Sequence, residues 1–150
     1  MLCQYLSQLR VSTEGEGFTD LTSQLAACVT ASGLRQGVLN VLLRHTSCSL
    51  TINENADPRV LLDLAAFLQA LVPQEGVRPL SGQGRLRPWV HDDEGPDDMP
   101  AHVRTALTTS TLSLPFEQGR LMLGTWQAVY LWEHRAAGSC RELSLHLLGE

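Results

Sequence analysis

Tyr5, Leu6, Leu9 and Val11 alternate loosely with polar neighbours and predict an opening strand over residues 3–11, ended by Gly15 and Gly17. Thr19 and Asp20 then offer a cap for a helix in which Leu21, Leu25, Ala26 and Val29 recur at helical spacing, with Gly33 at its end. From Gly37 to Ile52 the chain is apolar and partly β-branched, and it predicts a central, largely buried strand with an irregularity at Thr46-Ser47. Asp57 followed by Pro58 is a strong helix start, because Asp caps well and Pro loses nothing at the first helical position. Val60, Leu61, Leu64, Leu68 and Leu71 continue that helix on one stripe, and Pro73 closes it. Residues 74–84 hold Gly76, Gly82 and Gly84 and predict a loop; Leu86 to Val90 predicts a short strand.

A short helix with Asp98 as its cap and Pro100 in its first turn is expected to run through His102, Val103, Ala106 and Leu107. Beyond Thr111 the pattern turns to period two. Leu112, Leu114 and Phe116 alternate, Glu117-Gln118-Gly119 turns, and Leu121 and Leu123 resume. Thr125 to Arg135 predicts a longer strand, with Trp126, Ala128, Tyr130, Trp132 and His134 on one face and Gln127, Val129, Leu131, Glu133 and Arg135 on the other. Ala137-Gly138-Ser139 turns into a last strand over 141–148. Strands and helices do not alternate as βαβ units, so the expected class is α+β, with a substantial, mostly antiparallel sheet and two or three helices in a single domain over 1–150.

Composition narrows the function classes. The net charge is −5, which disfavours nucleic acid or an anionic membrane as a main partner. All eleven basic residues are arginines, so an anion site must use Arg, His or backbone N–H groups. Cys3, Cys28, Cys48 and Cys140 contain no CxxC pair and read as scattered thiols of a reducing compartment. No apolar run approaches the ~20 residues of a bilayer span, and the N-terminus lacks a signal-peptide pattern. A cytoplasmic, soluble chain is expected.

The densest chemistry lies in His91-Asp92-Asp93-Glu94-Gly95-Pro96-Asp97-Asp98-Met99-Pro100-Ala101-His102, with five carboxylates and two imidazoles in twelve residues. Oxygen and imidazole donors together suit a divalent ion: Mg²⁺ prefers oxygen, whereas Zn²⁺ accepts more nitrogen. A solvated acidic loop with a helix cap is the plain alternative. A second polar run, His45-Thr-Ser-Cys-Ser-Leu-Thr-Ile-Asn-Glu-Asn55, follows the apolar strand and needs partners or a cleft to face. If that strand carried His45 towards His91 and His102, three imidazoles would suffice for an ion with an open position. Arg120, Gln127, Glu133 and Arg135 on the late strands are candidate contacts for phosphate or carboxylate, or else cross-strand ion pairs.

These same runs, together with Gly119-Arg-Leu-Met-Leu-Gly-Thr-Trp-Gln127 and Glu133-His-Arg135, resemble the YjbQ family, which carries the label secondary thiamine-phosphate synthase. The resemblance covers essentially the whole chain in the same order. It implies a compact α+β domain, a homotrimer, and weak thiamine-phosphate synthase activity. That reaction joins hydroxymethylpyrimidine diphosphate to a thiazole phosphate and releases pyrophosphate. On this reading His45, His91 and His102 hold a divalent metal (Mg or Zn), with Glu54, Asp93 and Asp97 as catalytic acids and Asp98 nearby. Thr51, Asn53, Asn55, Arg120, Gln127, Glu133 and Arg135 contact a small phosphorylated substrate. The competing expectations are a metal-dependent hydrolase with a three-histidine ion, and a non-catalytic trimeric metal- or ligand-binding protein.

Overall fold

The computed structural model describes residues 1–150. In chain order the elements are β1 (Cys3–Ser12), β2 (Gly17–Asp20), α1 (Thr22–Ser32), β3 (Gln36–Leu43), β4 (Cys48–Glu54), α2 (Pro58–Leu71), α3 (Asp98–Leu107), β5 (Thr111–Glu117), β6 (Arg120–Leu121), β7 (Gln127–Glu133) and β8 (Cys140–Gly149). They form a five-stranded sheet, β1-β8-β3-β5-β6, and a three-stranded sheet, β2-β7-β4. Every strand pair is antiparallel. The expected class, α+β with a substantial, mostly antiparallel sheet, is the one found, and the helices number three.

The two sheets enclose the main core. Leu39, Val41 and Leu43 of β3 and Leu143, Leu145 and Leu147 of β8 meet Leu50 of β4 and Val129 and Leu131 of β7, with Leu25 and Val29 of α1 in the same cluster. Six of the seven β7 residues are buried, because the strand is covered on both faces. Its far face carries Trp132, which packs with Leu68 and Val72 at the end of α2 and with Phe18, Trp89 and Val103. Each fully buried Leu or Val here contributes roughly 1.5–3 kcal/mol of transfer free energy. That explains why a three-stranded sheet can serve as a middle layer rather than a solvated one.

Local signals read correctly where a cap or turn fixes them. Asp57 Oδ1 accepts the Arg59 amide at 2.9 Å, and Pro58 opens α2. Gly33 closes α1 at φ 71°, a left-handed conformation that suits glycine. Three expectations are corrected. The run Gly37–Ile52 is not one strand: Arg44 to Ser47 break it, so that β3 joins the large sheet and β4 the small one. An apolar run reads the same whether it continues or changes sheet. Thr19 and Asp20 end β2 rather than cap a helix by position, although the Asp20 carboxylate accepts the Thr22 amide at 2.8 Å. Leu86–Val90 forms no strand beyond a single bridge between Val77 and Arg87.

Candidate functional site

The loop 91–97 and the start of α3 meet the C-terminal end of β7. Asp98 is the first residue of α3, but its side chain does not cap the helix. The carboxylate, 2 % exposed, accepts Arg135 Nη1 through Oδ1 at 2.7 Å. Its Oδ2 lies 2.7 Å from His91 Nε2 and 3.1 Å from His102 Nε2. One ligand atom each from His91, Asp98 and His102 thus falls within 4.8 Å of the others. Burial alone would raise the Asp98 carboxyl, but the hydrogen bond from His91 and the positive charges of His102 and Arg135 outweigh it and hold it below the usual carboxylate range.

The hydrogen-bond roles at His102 follow from its partners. Nδ1 lies 2.7 Å from the Thr46 carbonyl, which can only accept, so Nδ1 carries the hydrogen. In the neutral ring Nε2 is then a bare lone pair directed at a carboxylate oxygen, which also only accepts. Two acceptors 3.1 Å apart are reconciled only by a cation between them, either a proton or a metal ion. Ligand atoms held at ~2.0–2.2 Å around one ion lie about 3 Å apart, close to the separations of the two imidazole nitrogens from Asp98 Oδ2. The backing of His102 by a carbonyl and of Asp98 by Arg135 is the outer support that fixes metal ligands. Two imidazoles and one carboxylate leave coordination positions free for water or substrate.

The rest of this end of β7 is support. Arg135 Nε donates to Asp97 at 2.9 Å and Nη2 to the Glu94 carbonyl at 2.8 Å, while Asp97 also accepts the Ala136 amide at 2.9 Å. Asp97 is therefore placed as a clamp on Arg135. Gly95 sits inside this clamp at φ 104°, and a Cβ there would approach the Asp97 carboxylate to 3.2 Å. Glu133 is buried against Arg141, whose Nε donates to it at 2.8 Å, and Thr13 donates at 2.7 Å. Burial raises the Glu133 carboxyl, but these hydrogen bonds dominate and hold it low.

His45 is placed apart from this cluster. Its Nε2 accepts the Glu142 amide at 2.8 Å, which ties it to the start of β8, so the group brought together is His91, Asp98 and His102 instead of three histidines. Asp93 is exposed on the loop. The polar run at the end of β4 lies elsewhere again. In the β4–β7 register Cys48 faces Glu133 and Glu54 faces Gln127, six steps apart, which separates the two ends by about 20 Å.

At that distant end the side chains serve the local backbone. Asn53 Oδ1 accepts the Glu54 amide at 2.9 Å, Glu54 Oε2 accepts the Asp57 amide at 2.7 Å, and Asn55 Nδ2 donates to the Thr125 carbonyl at 3.2 Å. Gln127 Oε1 accepts the Gly124 amide at 2.8 Å. Thr51 pairs with Tyr130 within the sheet, and Arg120 is exposed on β6. Within one chain, these residues and the histidine cluster do not share a cleft. Sequence reasoning assigned Asp98 to capping, yet Asp98 and His102 stand four apart on one helix face, a spacing that could have marked them as paired ligands.

The comparisons agree with this architecture. The family model described as "UPF0047 protein YjbQ-like" matches residues 7–150. A UPF0047 protein of Synechocystis sp. is 46% identical over 147 residues, covering 98% of this chain and 93% of its own length. The UPF0047 protein YjbQ of Escherichia coli O157:H7 is 37% identical over 97% of this chain and 99% of its own. Among solved structures, a conserved hypothetical protein of Thermus thermophilus superposes with a TM-score of 0.77 at 35% identity, covering 94% of this chain and 98% of that one. A YbjQ-like protein of unknown function from Sulfolobus solfataricus shares the fold along the full length of both chains, with a TM-score of 0.85 at 22% identity. Near-complete coverage in both directions, by sequence and by fold, makes this chain a member of the YjbQ (UPF0047) family.

Proposed function

We propose that this chain is a divalent-metal-dependent enzyme acting on a small phosphate-bearing molecule, with the ion held by His91, Asp98 and His102. The observation that supports this reading is the pair of facing acceptors, His102 Nε2 and Asp98 Oδ2, 3.1 Å apart, with the Nδ1 hydrogen already committed to Thr46. Of the ions considered, a donor set of two nitrogens and one oxygen favours zinc-type ions over Mg²⁺, which prefers all-oxygen ligation. A bound ion would supply Lewis-acid neutralisation of a phosphate or diphosphate oxygen. The chain's own part is to orient the ligands: Arg135 fixes Asp98, Thr46 fixes the His102 tautomer, and Asp97 with Glu94 fixes Arg135.

The specific reaction we propose is the one the resemblance implies: hydroxymethylpyrimidine diphosphate plus thiazole phosphate, giving thiamine phosphate and pyrophosphate. Arg135 is already engaged by Asp97 and Asp98, which makes the ion itself the main diphosphate contact on this reading. We also propose a homotrimer as the working assembly; light scattering that returned a monomer would remove it.

The test is elemental analysis of purified protein with a turnover assay, for wild type and for Asp98→Asn and His102→Ala. Stoichiometric divalent metal in the wild type, lost in both variants together with pyrophosphate release, is the expected result. Hydrolysis of phosphate esters without coupling would shift the reaction to the hydrolase reading. Metal bound without turnover on any phosphate substrate would leave a binding protein. No metal uptake by the wild type would end the proposal.

A further inference from the structure

Helix α3 turns Asp98 and His102 towards the ion cluster, but it turns Arg104 the other way. Arg104 is more than nine-tenths buried. Its Nη1 donates to Glu16 at 2.8 Å and its Nη2 to the Val72 carbonyl at 3.2 Å, while its buried Nε has no partner. An Arg–carboxylate pair built only for stability favours the two-bond fork, and a buried unmatched N–H is costly. Here Glu16 takes a single bond, from Nη1, Nη2 is spent on a carbonyl, and the buried Nε–H is left over.

Arg104 and His134 form the polar end of a cavity of about 360 Å³ between β2, α2 and α3. The remaining wall is largely apolar, with Phe18, Leu61, Ala65 and Trp132. Phe18 and Trp132 stack with ring centroids 4.5 Å apart at 29°, and Trp132 lies 5.1 Å from the His134 ring. His134 bonds Ser49 Oγ through Nε2 at 2.8 Å. Burial first, and the charge of Arg104 next, push its imidazole down to about 4, so it lines the cavity uncharged near neutral pH.

The carboxylate on Arg104 comes from the mouth of the cavity. Glu16 sits on the turn between β1 and β2, flanked by Gly15 and Gly17, both at positive φ, and its other oxygen accepts Gln69 Nε2 at 2.6 Å. Its side chain is 33% exposed, so a group tethered by a short glycine-flanked turn occupies the one cation lining a largely apolar hole.

We propose that this cavity binds a single-ring aromatic carboxylate, its ring against Phe18 and Trp132 and its carboxylate replacing that of Glu16 on Arg104. The volume sits at the small end of the ~300–1,000 Å³ range of ligand sites, which limits the ligand to about one ring system. The charge is set by Arg104: a dianionic phosphate calls for a second cation, and the cavity walls hold none, His134 being neutral. The site stands independently of the metal reading, because it shares none of its side chains.

The test is calorimetric titration and saturation-transfer NMR with phenylacetate, benzyl alcohol and phenyl phosphate, run in the presence of a chelator. Phenylacetate is expected to bind at least about tenfold more tightly than either of the others, a difference the shared ring cannot supply. Glu16→Gln, which removes the internal competitor's charge, is expected to tighten phenylacetate several-fold. Arg104→Leu deletes a buried cation and endangers folding, so the decisive variant is Ala65→Trp. That substitution fills the cavity from the half-buried face of α2 and is expected to abolish binding while circular dichroism stays unchanged. Equal binding of benzyl alcohol, tighter binding of phenyl phosphate, unaltered binding in a folded Ala65→Trp, or no saturable phenylacetate binding at millimolar concentration would each overturn the proposal.

Discussion

Asp98 answers to two neighbours at once, with one oxygen on Arg135 and the other between two imidazoles. Asp98→Asn keeps the shape and removes the charge, and divalent-metal affinity should fall by more than about 100-fold in a competition titration with a chromophoric chelator. Arg135→Lys leaves a cation but not the planar fork that spans Asp97 and Asp98, and a loss of about 10–100-fold is expected. Glu133 poses a different problem, since it is 1 % exposed and its partner Arg141 only 5 %. Removing one half of such a pair strands the other, so Glu133→Gln should cost about 3–5 kcal/mol in urea denaturation.

His134 sets a pH dependence whose sign can be worked out. The folded imidazole titrates at about 4 and the ordinary one at 6.5, so between those values the unfolded chain binds the extra proton. Stability is therefore full above pH 6.5 and declines as the pH falls towards 4, by about 3 kcal/mol from this group. The depressed carboxylates Asp98 and Glu133 act later, losing their contribution only below the ordinary carboxylate range. Denaturant midpoints across this window should slope in the wild type and slope less in His134→Gln, where His45, also lowered by burial, remains. At this scale His91, His102 and Asp98 stand together in one dense run of the sequence. His134 and Arg104 do not, because an alternating strand and a charged helix residue give no sign of which side closes over a cavity.

Among elements, the loop 91–97 and α1 offer a matched comparison. Gly33→Ala places a Cβ in open space but in left-handed backbone, so about 1–2 kcal/mol is expected with metal binding unchanged. Gly95→Ala combines positive φ with contact on the Asp97 carboxylate, and should weaken metal binding as well as stability. Both quantities can be read from melting curves with and without added zinc. Elements with a chemical punctuation mark were legible beforehand: Asp57-Pro58 opens α2 and Gly33 closes α1. The division of residues 36–54 between two sheets was only half legible: Thr46-Ser47 reads as an irregularity, but Arg44 to Ser47 carry no glycine or proline to mark a change of sheet. Likewise the polar ends of β4 and β7 read as one site in sequence, whereas the antiparallel register sends them to opposite ends.

For the molecule as a whole, an ion bound only by the folded state adds stability by mass action, roughly 2.7 kcal/mol at a hundredfold excess over its Kd. Thermal unfolding should shift upward with zinc, return with a chelator, and show no shift in Asp98→Asn. No helix is long and apolar enough to cross a membrane. The pairing of β1 with β8, from Cys3 opposite Gly149 to Ser12 opposite Cys140, has a consequence for biosynthesis. β1 pairs with no strand but β8, so it stays unpaired until β8 has been made. β3 shares the same partner, so β1 cannot join β3, β5 and β6 in one sheet until the ten residues of β8 are in place. Nascent chains arrested before Cys140 would display two unpaired strand edges, a hazard for aggregation and a reason for chaperone capture. The large sheet of this chain therefore closes through contacts of long sequence separation, which form slowly.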